Sequence, residues 1–404
     1  MELRPIFSTL LRHKTAALLI VLEIALSCAI VCNALFLIGN RLSHMQRPSG
    51  MDEAHLIVLR TNGITRDADA AAVTQADLGA LRAIPGVRAA TTITQVPFGN
   101  SMWMSGIKLR ANQEDSTLVT TNYLVGEDGL KTLGLRLVEG RDFAASEYQP
   151  TDADSFPTVI LSRALAQRLF PDGSAVGKAI YVFGDQPHRV IGLVEHLARP
   201  RDTGGPADYD LSMVFPQHTS YTDGAMYAVN VDDPARREAV LEQAKQSLAA
   251  HGPTRIISKG GTGTLEDFRS KYYRNDRAMA WMLVSVSVAL LVVTALGIIG
   301  LASFWVAQRT RQIGVRRALG ATRGQILRYF QTENFLLATV GIVLGMVLAY
   351  AINQLLMSRY ELPRLPLMYL PVGAVLLWVL GQFAVFWPAR RAAAVPPAIA
   401  TRAA

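Results

Sequence analysis

The sequence predicts a membrane protein of four spanning helices that carries one large α+β domain on the outer side of the bilayer. Three observations predict it. Half of the 404 residues are hydrophobic, and they gather in runs at about 15–38, 278–307, 335–357 and 369–387. The first three runs exceed the roughly 18 residues that mark a bilayer-spanning helix; the fourth is shorter and contains Pro371 and Gly373. A long polar stretch of ordinary globular composition separates the first run from the second, and the surplus of cations flanks the runs on one side only.

The net charge of +8 is therefore a matter of location. Arg4, Arg12 and Lys14 precede the first run. Arg309, Arg311, Arg316, Arg317, Arg323 and Arg328 lie between the second and third with no acid among them, and Arg390, Arg391 and Arg402 follow the fourth. The stretch 41–275 holds 25 Lys and Arg against 27 Asp and Glu. This is the positive-inside pattern, which places both termini and the 307–332 loop in the cytoplasm. A nucleic-acid groove needs a basic surplus on a folded domain, and the folded domain has none, so nucleic acid is excluded as a partner.

The elements follow in order. Residues 1–14 form a cytoplasmic segment and 15–40 the first span. That span is read as an uncleaved anchor, because its apolar run is long for a signal peptide and no good cleavage site follows. Cys28 and Cys32, on one helix face within it, read as small packing residues. Glu23 is a carboxylate in mid-span, which is expensive in hydrocarbon. It must face the bundle interior, be protonated, or pair with a cation of another subunit; a structural polar contact, a subunit-pairing device and proton coupling all remain open.

The outer domain, 41–275, reads as two strand–helix–strand halves around an insertion. His55–Arg60 is a β-rich run, Thr74 a candidate N-cap for a helix carrying Leu78, Leu81 and Ile84 at helical spacing, and Gly86 a stop before the strand Val87–Val96. Met226–Val231, Pro234–Ala250 and Arg255–Ser258 repeat that order. Two such halves predict a ferredoxin-like subdomain, split over about 51–110 and 222–268, with a second subdomain inserted at about 111–221. Inside the insertion Ser162–Phe170 reads as a helix, and Ala179–Phe183 and His188–Val194 as strands. Gly173–Ala179 has a flavour of a phosphate loop, but with three residues between its glycines and Ala after Lys178 it reads as a turn. No histidine spacing suits a metal, and no serine sits in a nucleophile elbow. The expectation is a chain with no catalytic residues, no metal and no cofactor of its own.

After the second span, 276–306, the segment 307–332 is the most informative. Its apolar residues Ile313, Val315, Ala318, Leu319, Thr322, Ile326, Tyr329 and Phe330 recur every three or four positions among arginines. Gly320 can end a short helix, and Thr322 with Gln325 has the form of a capping box that starts the next. A bent element with a crosswise short helix results, and on these grounds alone it could rest on anionic lipid or on a protein. The third span, 333–357, carries Gly341 and Gly345, whose four-residue spacing lets helices approach closely within a chain or between subunits. A short outer loop, 358–368, the fourth span, 369–389, and a cytoplasmic tail, 390–404, complete the chain.

The run 311–327, RQIGVRRALGATRGQIL, resembles the signature of MacB/FtsX-type ABC transporter permeases, which typically have an acid where Gln312 stands. Ala164–Gly177 followed by Arg189–Val194, and Gly140–Phe143, are similar to that family's periplasmic core. The resemblance spans essentially the whole chain and implies a type VII permease without a fused nucleotide-binding domain, in a bacterial inner membrane with its large domain periplasmic. It implies that Arg311, Gln312, Ile313, Gly314, Val315, Arg316, Arg317, Ala318, Leu319 and Gly320 dock a dimer of separate ATPase subunits, which bind the ATP and magnesium. A second permease, identical or related, and a periplasmic adaptor are the other implied partners. Export is the first expectation; lipoprotein extraction of the LolC/LolE kind and FtsX-like signalling to a cell-wall hydrolase are the alternatives.

Overall fold

The computed structural model describes residues 14–63, 69–202, 205–221, 224–360 and 364–394. Arg4, Arg12 and Arg402, three of the cations read above as cytoplasmic, lie outside the described residues. The chain divides into two compact units, residues 47–274 and a second made of 1–46 with 275–404.

The first described element is helix α1 (Lys14–Met45), which runs five residues beyond the C-terminal end of the predicted span. Strand β1 (Leu56–Gly63), helix α2 (Ala70–Arg82) and strand β2 (Val87–Thr92) follow. Then come β3 (Met104–Ile107), β4 (Leu118–Val125), α3 (Gly129–Leu133), β5 (Leu137–Gly140), β6 (Gln149–Pro150) and β7 (Thr158–Ser162). Next are α4 (Arg163–Leu169), β8 (Ala179–Tyr181), β9 (Pro187–Val194) and β10 (Ser212–His218). The unit closes with β11 (Gly224–Val231), α5 (Arg237–Ala250), β12 (Arg255–Ile257), β13 (Gly263–Thr264) and α6 (Leu265–Tyr272).

Among the described residues, β12, β1, β11 and β2 form one antiparallel sheet in that order, with β13 added to β1. Counting only the strands of the two β-α-β halves, the order is 4-1-3-2, the ferredoxin-like arrangement read from the sequence. Alternation along β1 sends Ile57 and Leu59 into a core with Leu78 and Leu81 of α2 and Leu241, Ala244 and Leu248 of α5. Arg60 and Asn62 therefore lie on the opposite face, away from α2 and α5.

The inserted subdomain is built on a second, mixed sheet, β3-β4-β10-β7-β9-β5. Two of its pairs are parallel, β4 with β10 and β7 with β9, while the central pair of β10 with β7 is antiparallel. Every residue of β7 is buried, as a strand covered on both faces requires.

Two expectations are corrected here. The N-cap of α2 is Asp69, whose carboxylate accepts from the Ala72 amide; the chain upstream of Thr74 is three alanines and a valine, good helix formers that extend the helix backwards. Thr74 is instead buried within the helix, where its hydroxyl accepts from the Tyr221 amide at 2.6 Å. The insertion begins before residue 111, because β3 at 104–107 belongs to the second sheet by pairing with β4; a four-residue strand of small and mixed residues carries too little alternation to be assigned from sequence.

The other unit holds α7 (Arg274–Gln308), α8 (Thr310–Ala318), α9 (Arg323–Tyr360) and α10 (Tyr369–Ala393) beside α1. α1, α7, α9 and α10 are long and apolar enough to cross a membrane. α1 is the centre: 61% of its apolar window is buried, against 11% for α7.

Candidate functional site: the elbow and the helices attached to it

The turn between α7 and α9 is fixed by backbone chemistry that the sequence specifies. Gly320 adopts φ +98°, a conformation in which a β-carbon would be strained. Its amide donates to the Arg317 carbonyl at 3.1 Å and the Ala321 amide donates to the Arg316 carbonyl at 3.0 Å. That pair is a Schellman stop. Two residues on, the Thr322 amide donates to Gln325 Oε1 at 2.8 Å and the Gln325 amide donates to Thr322 Oγ1 at 3.2 Å, a reciprocal capping box.

The apolar stripe divides between two sides of α8. Ile313 and Gly314 are buried, with Ile313 in one cluster with Ile326 and Phe330 of α9. Arg317, one turn after Ile313, is half-buried and donates from Nη1 to the Ala393 carbonyl at the end of α10. Val315 and Leu319 point away and are exposed, Leu319 by 84%. Arg311, Gln312, Arg316 and Ala318 are exposed as well. Successive residues turn by about 100° around a helix, so a nine-residue helix held on one side must present the other. Arg316 lies over the Tyr329 ring at 5.1 Å, and Gln312, Ile313, Arg316, Gln325, Ile326 and Tyr329 line a groove between α8 and α9.

Arg309 was read as one more flanking cation; it is a buried one. It is 8% exposed, stands at the junction of α7 and α8, and donates from Nη1 to both carboxylate oxygens of Glu333 at 2.8 and 3.0 Å. Glu333 is 1% exposed, on α9. Two partners 24 residues apart share no local spacing, so the pair has no sequence signature; the one cue was an acid at the first residue of a predicted span. Through Arg309, Ile313 and Arg317 the short helix is tied to α7, α9 and α10.

The spanning helices contact α1 in two ways. Against α9 the contact is close: a β-carbon on Gly341 would come within 2.9 Å of Ile24 Cβ, and one on Gly345 within 2.5 Å of Cys28 Cβ and 2.6 Å of the Ala25 carbonyl oxygen. Against α7 it is polar. Ser27 Oγ and Thr294 Oγ1 are 2.8 Å apart, Arg41 pairs with Asp276, and the Glu23 carboxylate occupies the space that Gly297 leaves by lacking a side chain. Cys28 and Cys32 are buried, unpaired by a disulfide, with sulfurs 3.9 Å apart.

Within the 47–274 unit the two ends of the domain are fastened to each other. Arg269 of α6 donates from Nε to Glu53 Oε2 at 2.6 Å, and from Nη2 to Glu53 Oε1 and the Arg47 carbonyl, both at 2.7 Å. Its guanidinium lies 4.6 Å from the centre of the Phe98 ring. Phe98 is buried with φ +64°, an unusual state for an aromatic residue, and it belongs to the link between β2 and β3 that joins the two subdomains.

The comparisons with known proteins agree with this architecture. Residues 17–247 match the MacB-like periplasmic core domain, more than half of the chain, and residues 284–397 match the FtsX-like permease C-terminal region. The chain belongs to the MacB/FtsX-type family of ABC transporter permeases. It is 29% identical over 289 residues to the macrolide export ATP-binding/permease protein MacB of Chromobacterium violaceum, covering 68% of this chain and 42% of that one. It is 25% identical over 261 residues to the uncharacterized ABC transporter permease YvrN of Bacillus subtilis, covering 63% of each. The chain thus spans less than two thirds of the length of these relatives. Among solved structures, the periplasmic region of MacB from Actinobacillus actinomycetemcomitans is similar at 16% identity and a TM-score of 0.35, over 56% of this chain and 97% of that one. This permease is accordingly a membrane protein with an outer α/β domain and a component of an ABC transporter.

Proposed function

We propose that this permease passes the movement of a separate ATPase dimer from the elbow to the outer domain, and that the work done there is export with an adaptor protein. The observation that carries the reading is the construction of α8. One side is held by Arg309, Ile313 and Arg317, and the other presents Arg311, Val315, Arg316 and Leu319 to a partner. A turn closed by a Schellman stop and a capping box is a shaped surface, which favours a protein partner over lipid. The exposed arginines, with no acid between 307 and 332, suit an acidic face.

In this reading both termini and α8 are cytoplasmic, by the positive-inside pattern. Closure of the ATPase subunits around ATP and magnesium displaces α8, and the helices fastened to it move as rods across roughly 30 Å of hydrocarbon. α1 and α7 continue directly into the chain segments that the Glu53–Arg269 pair clasps together. A second permease stands beside α7, whose apolar flank is largely uncovered within one chain. Export is the use that the printed name of the MacB relative gives for that protein.

The reading is tested by capture of the ATPase on the immobilised permease. Arg311→Glu with Leu319→Asp should remove the ATPase while membrane insertion and thermal stability stay as in the parent; retention of the ATPase by that stable variant would overturn the docking role of α8.

A further inference from the structure

The face of the ferredoxin-like sheet opposite α2 and α5 carries a feature that coupling does not use. Arg60 of β1 stands opposite Met226 of β11 in the sheet register. The backbone of Arg60 is fully engaged: its amide donates to Thr262 Oγ1 and its carbonyl accepts from the Ser258 amide. Its guanidinium has no hydrogen bond or ion pair among the described residues. A charge on a domain that carries more acids than bases ordinarily finds a carboxylate, so a partly buried arginine left without one stands out.

Two hollows flank it and share Arg60 and Met226 as a common wall. One, of about 130 Å³, is walled by Val96, Asn100, Ser101, Ser258 and Phe268. The other, of about 310 Å³, is walled by Asn62, Ile93, Thr94 and Thr219. Among the described residues no carboxylate lines either hollow. The Oγ1 of Thr219 in the second wall is buried and has no hydrogen-bond partner among the described residues. Glycine shapes the floor: a β-carbon on Gly261 would sit 2.7 Å from Arg60 Cδ, so only glycine lets the stem of Arg60 lie flat there, and nothing comes within 4 Å of the β-carbon position of Gly260.

We infer that this cleft is a binding site for a small amphipathic oxyanion, a carboxylate or phosphate monoester on an apolar body. Arg60 takes the anion through its forked donors, and Met226 with Ile93, Val96 or Phe268 receives the apolar part. The volumes suit a small molecule and are too small for a folded partner. The chemistry favours one sign: a cation would meet the Arg60 guanidinium, which has no ion pair among the described residues. Because the walls come from the ferredoxin-like sheet and from the link at 93–101, an occupied cleft would also brace the two subdomains against each other.

The test uses the full chain in nanodiscs of zwitterionic lipid, with calorimetric titration of phenylbutyrate, phenethyl phosphate and the neutral phenylbutyramide. At least one of the two anions should bind saturably in the millimolar range or tighter, and about tenfold more tightly than the amide. Arg60→Met should remove that preference. Met226→Trp, which keeps the charge and fills the shared wall, should abolish binding, so the conclusion does not depend on one variant folding well. Equal binding of anion and amide, unchanged affinity in Arg60→Met with an unaltered melting temperature, or no saturable binding of either anion would overturn the site. None of these results touches the role of α8.

Discussion

Replacing Glu333 with leucine should destabilise the permease far more than the loss of one surface ion pair. Arg309 would remain 8% exposed with no counter-ion. At the observed separations of 2.8 and 3.0 Å the attraction is on the order of 6 kcal/mol for an effective dielectric near 20. Breaking a buried pair by removing one partner costs about 3–5 kcal/mol, since the surviving charge stays desolvated. Removing both charges is a different matter. Arg309→Met with Glu333→Leu refills the space with apolar atoms, and such replacements are often neutral or stabilising. The double variant should therefore recover most of the melting temperature lost by Glu333→Leu. The assay is thermal unfolding of the detergent-solubilised permease, run as a double-mutant cycle over the parent, the two single variants and the double. A Glu333→Leu variant as stable as the parent, or a double variant no better than the sum of the singles, would refute the clamp. Capture of the ATPase adds a second readout: Glu333→Leu should weaken it by loosening α8, although residue 333 lies outside the docking surface.

The remaining expectations concern packing, docking and pH. Gly345→Leu should cost about 1–3 kcal/mol by overpacking, because its first added carbon already meets Cys28 and the Ala25 carbonyl; a melting temperature equal to the parent's would show that α1 and α9 do not approach as described. Leu319→Asp alone, at an 84% exposed position, should leave stability within about 0.5 kcal/mol while lowering ATPase affinity severalfold in a pull-down titration. His188 lies buried against Phe183 and Phe215, and its Nδ1 donates to the Phe156 carbonyl at 2.5 Å. Burial lowers its pKa below the ordinary 6.5. The unfolded chain then takes up the proton more readily, so stability present above about pH 6.5 is lost as pH falls towards the lowered folded value. His188→Leu should flatten the pH dependence of unfolding of the outer domain between pH 5 and 7, as followed by thermal melts; an unchanged slope would mean that His188 does not titrate as its burial implies.

The parts of this molecule that sequence made legible are those with a local period. The four apolar runs, the paired β-α-β halves and the elbow's glycine and capping box each state their structure within a few residues. The elbow's stripe was legible as a stripe, but which half would be buried was not: Ile313 and Leu319 are alike in chemistry, and only the placement of α9 and α10 separates them. The second sheet was hardest. β4 and β10 at its centre were missed because β4 buries Thr120, Thr121 and Asn122, residues that read as surface. They are buried at little cost because Thr120 reaches the Leu211 carbonyl and Asn122 reaches Ser105 Oγ at 2.5 Å. The Arg309–Glu333 and Glu53–Arg269 pairs join positions 24 and 216 residues apart, where no periodicity reaches.

The most direct measurement is an inter-spin distance between the two permeases of the reconstituted complex, with a label at Ile256, an exposed position on β12 of the outer domain. With a hydrolysis-deficient ATPase, adding ATP and magnesium should shift that distance by several ångströms, on the order of one helical turn or less. The shift should vanish when Arg311→Glu and Leu319→Asp uncouple the elbow. A distance that does not respond to nucleotide, in a complex shown to bind it, would contradict transmission from α8 to the outer domain.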